Sequence, residues 1–295
     1  MVLDVGGFVQ SVVFGLVEGS VIAVGAVGLT LSYGVTRFIN FAYGEFLAYG
    51  AYLTVFLAGG IFGVSMPLPA AAVVAVALVG ALGVAVSRTF FEPISDRGAL
   101  PLLITSIGVS FILRNLLQGW AGVSARQLPI PLLRREEYLG VIRLTDLELG
   151  VVAAAVVTML AIHFLLQRTM LGKRMRATSG NRSLAEVAGI DTTNVVRQTW
   201  FISAATGALS GVLYAVLFSP FRPGVGFAYL IVIFAATLLG GIGRPYGAML
   251  GAFVIGLAMN FGSTYLSADY TRAYAFLILV GVLLLKPEGI RGGEF

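Results

Sequence analysis

Apolar runs comparable in length to the thickness of a bilayer recur along almost the whole chain, separated by short polar intervals. A helix needs about 20 consecutive apolar residues to cross the hydrocarbon core, whereas a membrane barrel would show short alternating segments. The pattern therefore predicts an all-α, polytopic helical membrane bundle. Spans are expected over residues 8–31, 69–86, 100–117, 147–166, 199–219, 248–266 and 274–285. Two further stretches are irregular. Residues 228–239 are short for a crossing, and in residues 33–60 an aromatic-rich run is interrupted at Asn40, Phe41, Gly44 and Glu45. A carboxylate at mid-bilayer costs about 2.5 to 3.5 kcal/mol on insertion scales, so Glu45 is expected to face protein or water. The stretch predicts a discontinuous or re-entrant segment lining a pathway. The plainer alternative is a tight interfacial turn before an ordinary span. Depending on how it crosses, the bundle has about eight to ten segments.

The longest polar interval, residues 168–197, carries Arg168, Lys173, Arg174, Arg176, Arg182 and Arg197 against Glu186 and Asp191. By the positive-inside rule this loop is cytoplasmic. Counting nine crossings puts the N-terminus outside and the C-terminus inside, with Arg37, Arg88, Arg97, Arg244, Lys286 and Arg291 on the loop's side. Ser183 and Glu186 have the spacing of a capping box, Leu184, Val187 and Ala188 share one helical face, and Gly189 can supply a left-handed stop. The pattern predicts a short amphipathic helix at the membrane surface, with a solvated connector as the alternative. Small residues four apart predict close helix packing: Gly15 with Gly19, Gly207 with Gly211, and Gly243, Gly247 and Gly251. In residues 100–117, Thr105, Ser106 and Ser110 are candidates for hydrogen bonds between helices. Arg114 lies near the far end, where an arginine can snorkel to the interface.

Composition narrows the chemistry. Of 295 residues, 58% are hydrophobic and only 11% charged, against about 25% charged in soluble domains. The net charge of +5 follows from loop arginines and lysines, so it reads as membrane topology and not as nucleic-acid binding. There is no cysteine, and His163 is the single histidine, so neither a metal site nor a cofactor nor a catalytic cluster is expected; His163 reads as a packed or interfacial residue. Glycine-rich residues 239–251 lack the Walker lysine and the strand that would precede a nucleotide loop. The first residues lack a positive n-region, so no cleavable signal is expected.

Four stretches in order, INFAYGEFLAYGAYL (39–53), EPISDRGALPLLITSIGVSFILRN (92–115), MLGKRMRATSGNRSLAEVAGIDTTNVV (170–196) and LLGGIGRPYGAMLGAFVIG (238–256), resemble the LivH-type permease subunits of branched-chain amino acid ABC importers. Tyr43 stands where that family pattern has a histidine, and related permeases for urea and short amides share the pattern. The resemblance implies a single permease domain over 1–295 in the cell membrane. It implies as partners a second, LivM-like permease, two cytoplasmic ABC ATPases and an extracytoplasmic substrate-binding protein. It further implies that 168–197 is a coupling loop, Glu186 to Gly189 corresponding loosely to the motif that docks on the ATPase. Asn40 to Glu45 would then line the route of an alternating-access transporter, and the chain itself would bind no ATP. A proton-coupled carrier using Glu18 or Glu45 is a competing class that the same intramembrane carboxylates allow.

Overall fold

The computed structural model describes residues 5–60, 65–130, 136–138 and 142–285. Lys286 and Arg291, expected on the cytoplasmic side, lie outside the described residues. Eleven α-helices are described: α1 Val5–Thr36, α2 Tyr43–Ala58, α3 Leu68–Val86, α4 Ala99–Ala121, α5 Asp146–Arg168, α6 Met170–Gly180, α7 Arg182–Val187, α8 Thr192–Leu217, α9 Val225–Gly240, α10 Pro245–Tyr265 and α11 Thr271–Leu285. Among the described residues, six helical stretches are long and apolar enough to cross a membrane. Among the described residues, strand is confined to a ribbon of β1 Glu136–Tyr138 antiparallel to β2 Ile142–Leu144, in the loop before α5.

Small residues decide which helices sit at the centre. A Cβ on Gly256 of α10 would stand 2.5 Å from the Cα of Gly19, so α1 and α10 meet backbone to backbone. Such approach gives dispersion contacts that bulky side chains forbid, which is how helices associate where lipid removes the hydrophobic drive. α8 is held against α1 by two buried hydroxyls: Ser203 Oγ donates to the Gly28 carbonyl (2.8 Å) and Ser210 Oγ to that of Val21 (2.9 Å). On its other side α8 takes α2, Gly211 lying on the Leu47 backbone and Gly50 on that of Ala208. α5 is peripheral and mostly exposed, whereas α1 is largely buried.

α2 and α9 each have 16 residues. At 1.5 Å per residue each is about 24 Å long, short of the roughly 30 Å core. Each is completed by irregular chain, residues 37–42 before α2 and 218–224 before α9. Unpaired backbone at membrane depth is tolerated where protein surrounds it, and 12 of the residues of α2 are buried. The two short helices touch at their second residues: a Cβ on Gly44 would lie 2.6 Å from the Gly226 carbonyl oxygen.

Several boundaries differ from expectation. Residues 33–36 continue α1, so the break starts at Arg37, which holds a left-handed φ of 57°. Ser87–Arg97 is a π-helical turn followed by a 3-10 turn, a helical corner in place of a loop. Gly243 does not join the glycine ridge. It precedes α10 with a φ of 84°, as Gly241 does with 98°, and the two make the reversal, while Gly240 takes the packing position against Gly247. Gly251 packs on the Ala236 backbone.

Candidate functional site

The irregular stretch before α2 is held by its own polar groups. Asn40 Oδ1 accepts from the Ala42 amide at 3.0 Å, and the Asn40 carbonyl accepts from the Tyr43 amide at 3.3 Å, an Asx turn that starts the helix. The Phe41 amide, freed by the break, donates to Ser106 Oγ of α4 (3.1 Å), and the Phe41 ring lies 5.7 Å from that of Phe234 on α9. Tyr43 is fully buried. Its hydroxyl donates to the Gly25 carbonyl at 2.7 Å, and its ring fills the space beside Gly207.

One turn further, the Glu45 carboxylate is completely buried and faces α4. Its Oε1 accepts from Ser110 Oγ (2.9 Å) and from Arg114 through Nε (3.1 Å) and a terminal nitrogen (2.5 Å). Arg114 therefore does not snorkel as the sequence reading expected. Its guanidinium turns into the bundle, 19% exposed, over the Phe227 ring at 4.8 Å. The physical reason is the carboxylate: Glu45 buried without a partner would be an uncompensated charge, and the Arg114 guanidinium supplies both the opposite charge and the donors it needs. Ser110 makes the bond to a neighbouring helix that its spacing promised, at Glu45 of α2, while Ser106 bonds the irregular chain before α2, at Phe41. Glu45 Oε2 and Asn40 Nδ2 are buried without a partner among the described residues. Asn40 borders a small void of about 10 Å³ with Ser32 and Thr237. Glu18 is not at this site; it lies on α1, half-buried, near Tyr214 and Tyr229.

The second candidate region is the 168–197 segment. It opens with α6, which the sequence reading did not anticipate although Thr169 caps it by accepting from the Gly172 amide (3.1 Å). α7 is then capped by Asn181, whose Oδ1 accepts from the Leu184 amide at 3.0 Å, and not by Ser183. The helix starts two residues early because an asparagine in extended conformation is as good a cap as serine. Its end is a full Schellman motif: Gly189 (φ 80°) donates to the Glu186 carbonyl at 2.9 Å and Ile190 to that of Ala185 at 3.0 Å. Ala185 points into the protein, whereas Leu184 (66% exposed), Val187 (88%) and Ala188 form a bare apolar face.

Glu186, expected to close a capping box, instead accepts from the Thr192 hydroxyl at 2.5 Å and from Arg182 Nε at 3.2 Å. The Thr192 hydroxyl, then Arg182, hold its carboxyl below the ordinary glutamate range. These bonds tie α7 to the first turn of α8. One turn along α8, Arg197 grips Glu92 of the helical corner through two bonds of 2.8 and 2.7 Å. His163 sits on the outer face of α5 with Nδ1 2.7 Å from the Tyr246 hydroxyl.

Residues 11–285 match the family model described as branched-chain amino acid transport system / permease component. The chain is 30% identical over 294 residues to the high-affinity branched-chain amino acid transport system permease protein BraD of Pseudomonas aeruginosa, covering 97% of this chain and 96% of that one. It is also 30% identical over 296 residues to LivH of Escherichia coli K12, with the same coverage. Among solved structures, PsaBC from Streptococcus pneumoniae in complex with Fab shares the fold, with a TM-score of 0.52 over 96% of this chain and 92% of that chain at 14% identity. With its bundle of membrane-crossing helices and a family match over nearly its whole length, the chain belongs to the branched-chain amino acid transport system permease family.

Proposed function

We propose that this chain is the permease subunit of an ATP-driven importer for branched-chain amino acids, acting as one domain in the cell membrane with segment 168–197 and the C-terminus in the cytoplasm. ATP is hydrolysed by two partner ATPases. A second, LivM-like permease completes the membrane unit, and an extracytoplasmic binding protein delivers substrate. The observation that carries the coupling role is the bare face of Leu184, Val187 and Ala188 on a helix whose other side is clamped to α8. An exposed apolar face on a rigidly capped helix fits the groove of a partner. A push on α7 passes through Glu186 to Thr192 and through Arg197 to Glu92, so it reaches α8 and the α3–α4 corner together.

The route for substrate runs past the break before α2. Asn40, Phe41, Gly44 and Glu45 gather there against α4 and α9, and two buried polar atoms among them lack a partner among the described residues. Alternating access would rearrange the short helices, which are joined to the rest by irregular chain and not by continuous helix.

Reconstitution with the co-expressed partners in proteoliposomes tests this reading. Labelled leucine should accumulate only with internal ATP and be indifferent to proton ionophores. Accumulation of urea or a short amide in place of leucine would move the substrate to the related permeases. Ionophore-sensitive uptake without ATP would contradict the coupling reading and favour a proton-coupled carrier.

A further inference from the structure

A cavity of about 790 Å³ opens beside the first residue of the break, away from Asn40 to Glu45, between the last turns of α1, the α5–α6 corner and the first turn of α10. Three arginines line it, Arg37, Arg176 and Arg244, and no carboxylate is among the described residues that do so. Its remaining wall includes apolar Leu31, Val35 and Met175. Two of the cations are fixed by backbone: Arg37 donates to the Ser179 carbonyl at 2.5 Å and Arg176 to that of Leu166. A guanidinium has five N–H donors, so one such bond orients it without exhausting it. Arg37 also holds the left-handed backbone that L-residues avoid, at the point where α1 gives way to the break. Tyr246, whose hydroxyl meets His163 of α5, also lines it, and tyrosine is enriched at headgroup depth.

A cationic cavity with an apolar wall, set at the ends of membrane-crossing helices, matches an amphiphile with an anionic head. We infer that it is a binding site for one anionic phospholipid, the headgroup phosphate meeting the arginines and the start of an acyl chain lying along Leu31, Val35 and Met175. Basic pockets between transmembrane helices recognise lipid headgroups in this way. A free phosphate-bearing solute presents the same anion, but it would leave the apolar wall uncovered.

Native mass spectrometry of the full delipidated chain, titrated with phosphatidylglycerol or phosphatidylcholine, tests the assignment. One phosphatidylglycerol per chain should be retained preferentially, and Arg176→Gln or Arg244→Gln should each weaken retention about fivefold. Because removing an arginine could disturb folding, Gly34→Leu provides the second variant. A Cβ at Gly34 meets nothing within 4 Å, and the residue lines the cavity on α1, so the leucine fills the space with every arginine in place. Loss of phosphatidylglycerol in that variant supports the site. Equal retention of the two lipids, or retention unchanged by Gly34→Leu, would overturn it. If millimolar inorganic phosphate displaces the lipid and alone raises thermal stability equally, the site belongs to a soluble phosphate and the lipid assignment fails.

Discussion

Glu45 and Arg114 depend on each other. Removing one partner of a buried ion pair leaves an uncompensated charge, at a cost of about 3 to 5 kcal/mol, whereas replacing both by apolar residues of similar volume is often neutral. Arg114→Met should therefore sharply lower the melting temperature of the purified chain, and Glu45→Met with Arg114→Met should restore most of it. If the pair also serves the route, the double variant folds and does not transport; a double variant as active as the parent would make the pair purely structural. Glu186 makes a pH prediction. Its folded pKa is depressed, so its clamp contributes stability above the ordinary glutamate value of about 4.3, and that contribution is lost as pH falls through the lower folded value. Hydrogen exchange at α7 should accelerate in that acid window and show no such step in Glu186→Gln. The partner of Glu45 was within reach of sequence reasoning, since a second intramembrane charge of opposite sign stood at Arg114. Proximity to the span's end made snorkelling the simpler expectation.

The helices were legible wherever hydrophobicity alone specifies them. α3, α4, α5 and α10 fall within a few residues of the apolar runs, because lipid admits little else, whereas α8 begins at Thr192, seven residues before its apolar run and inside the polar interval. What sequence left open was decided by packing. The break before α2 depends on Gly44 meeting Gly226 some 180 residues away, and no local pattern announces which glycine faces which. Gly44→Ala would drive a Cβ to 2.6 Å from the Gly226 carbonyl oxygen, so α2 and α9 must separate. A loss of about 1 to 3 kcal/mol is expected for such overpacking. Gly108→Ala on α4, where a Cβ meets nothing within 4 Å, should be neutral or slightly stabilising. Thermal unfolding of the two variants in one detergent distinguishes them, and equal stability would show that the short helices are not in backbone contact. Two caps were also readable. Thr145 and Glu148 form a complete capping box at the start of α5, with the T-x-x-E signature in plain view, and Asn181 precedes α7 as Ser183 does not.

For the whole molecule, the account requires that force enter at α7 and travel through α8 to the buried break. Leu184→Asp interrupts the first step alone. The Leu184 side chain is exposed and its cap bond uses the backbone amide, so α7 should keep its fold. A carboxylate desolvated in a partner's groove costs on the order of a few kcal/mol, enough to weaken docking about a hundredfold. Val123→Asp, an exposed apolar site in the loop after α4 (71%), serves as the control. The measurement is retention of the ATPase on the tagged permease together with substrate-stimulated ATP hydrolysis. The account predicts that Leu184→Asp loses both while Val123→Asp keeps both. A Leu184→Asp variant that retains the ATPase and hydrolyses ATP normally would contradict it.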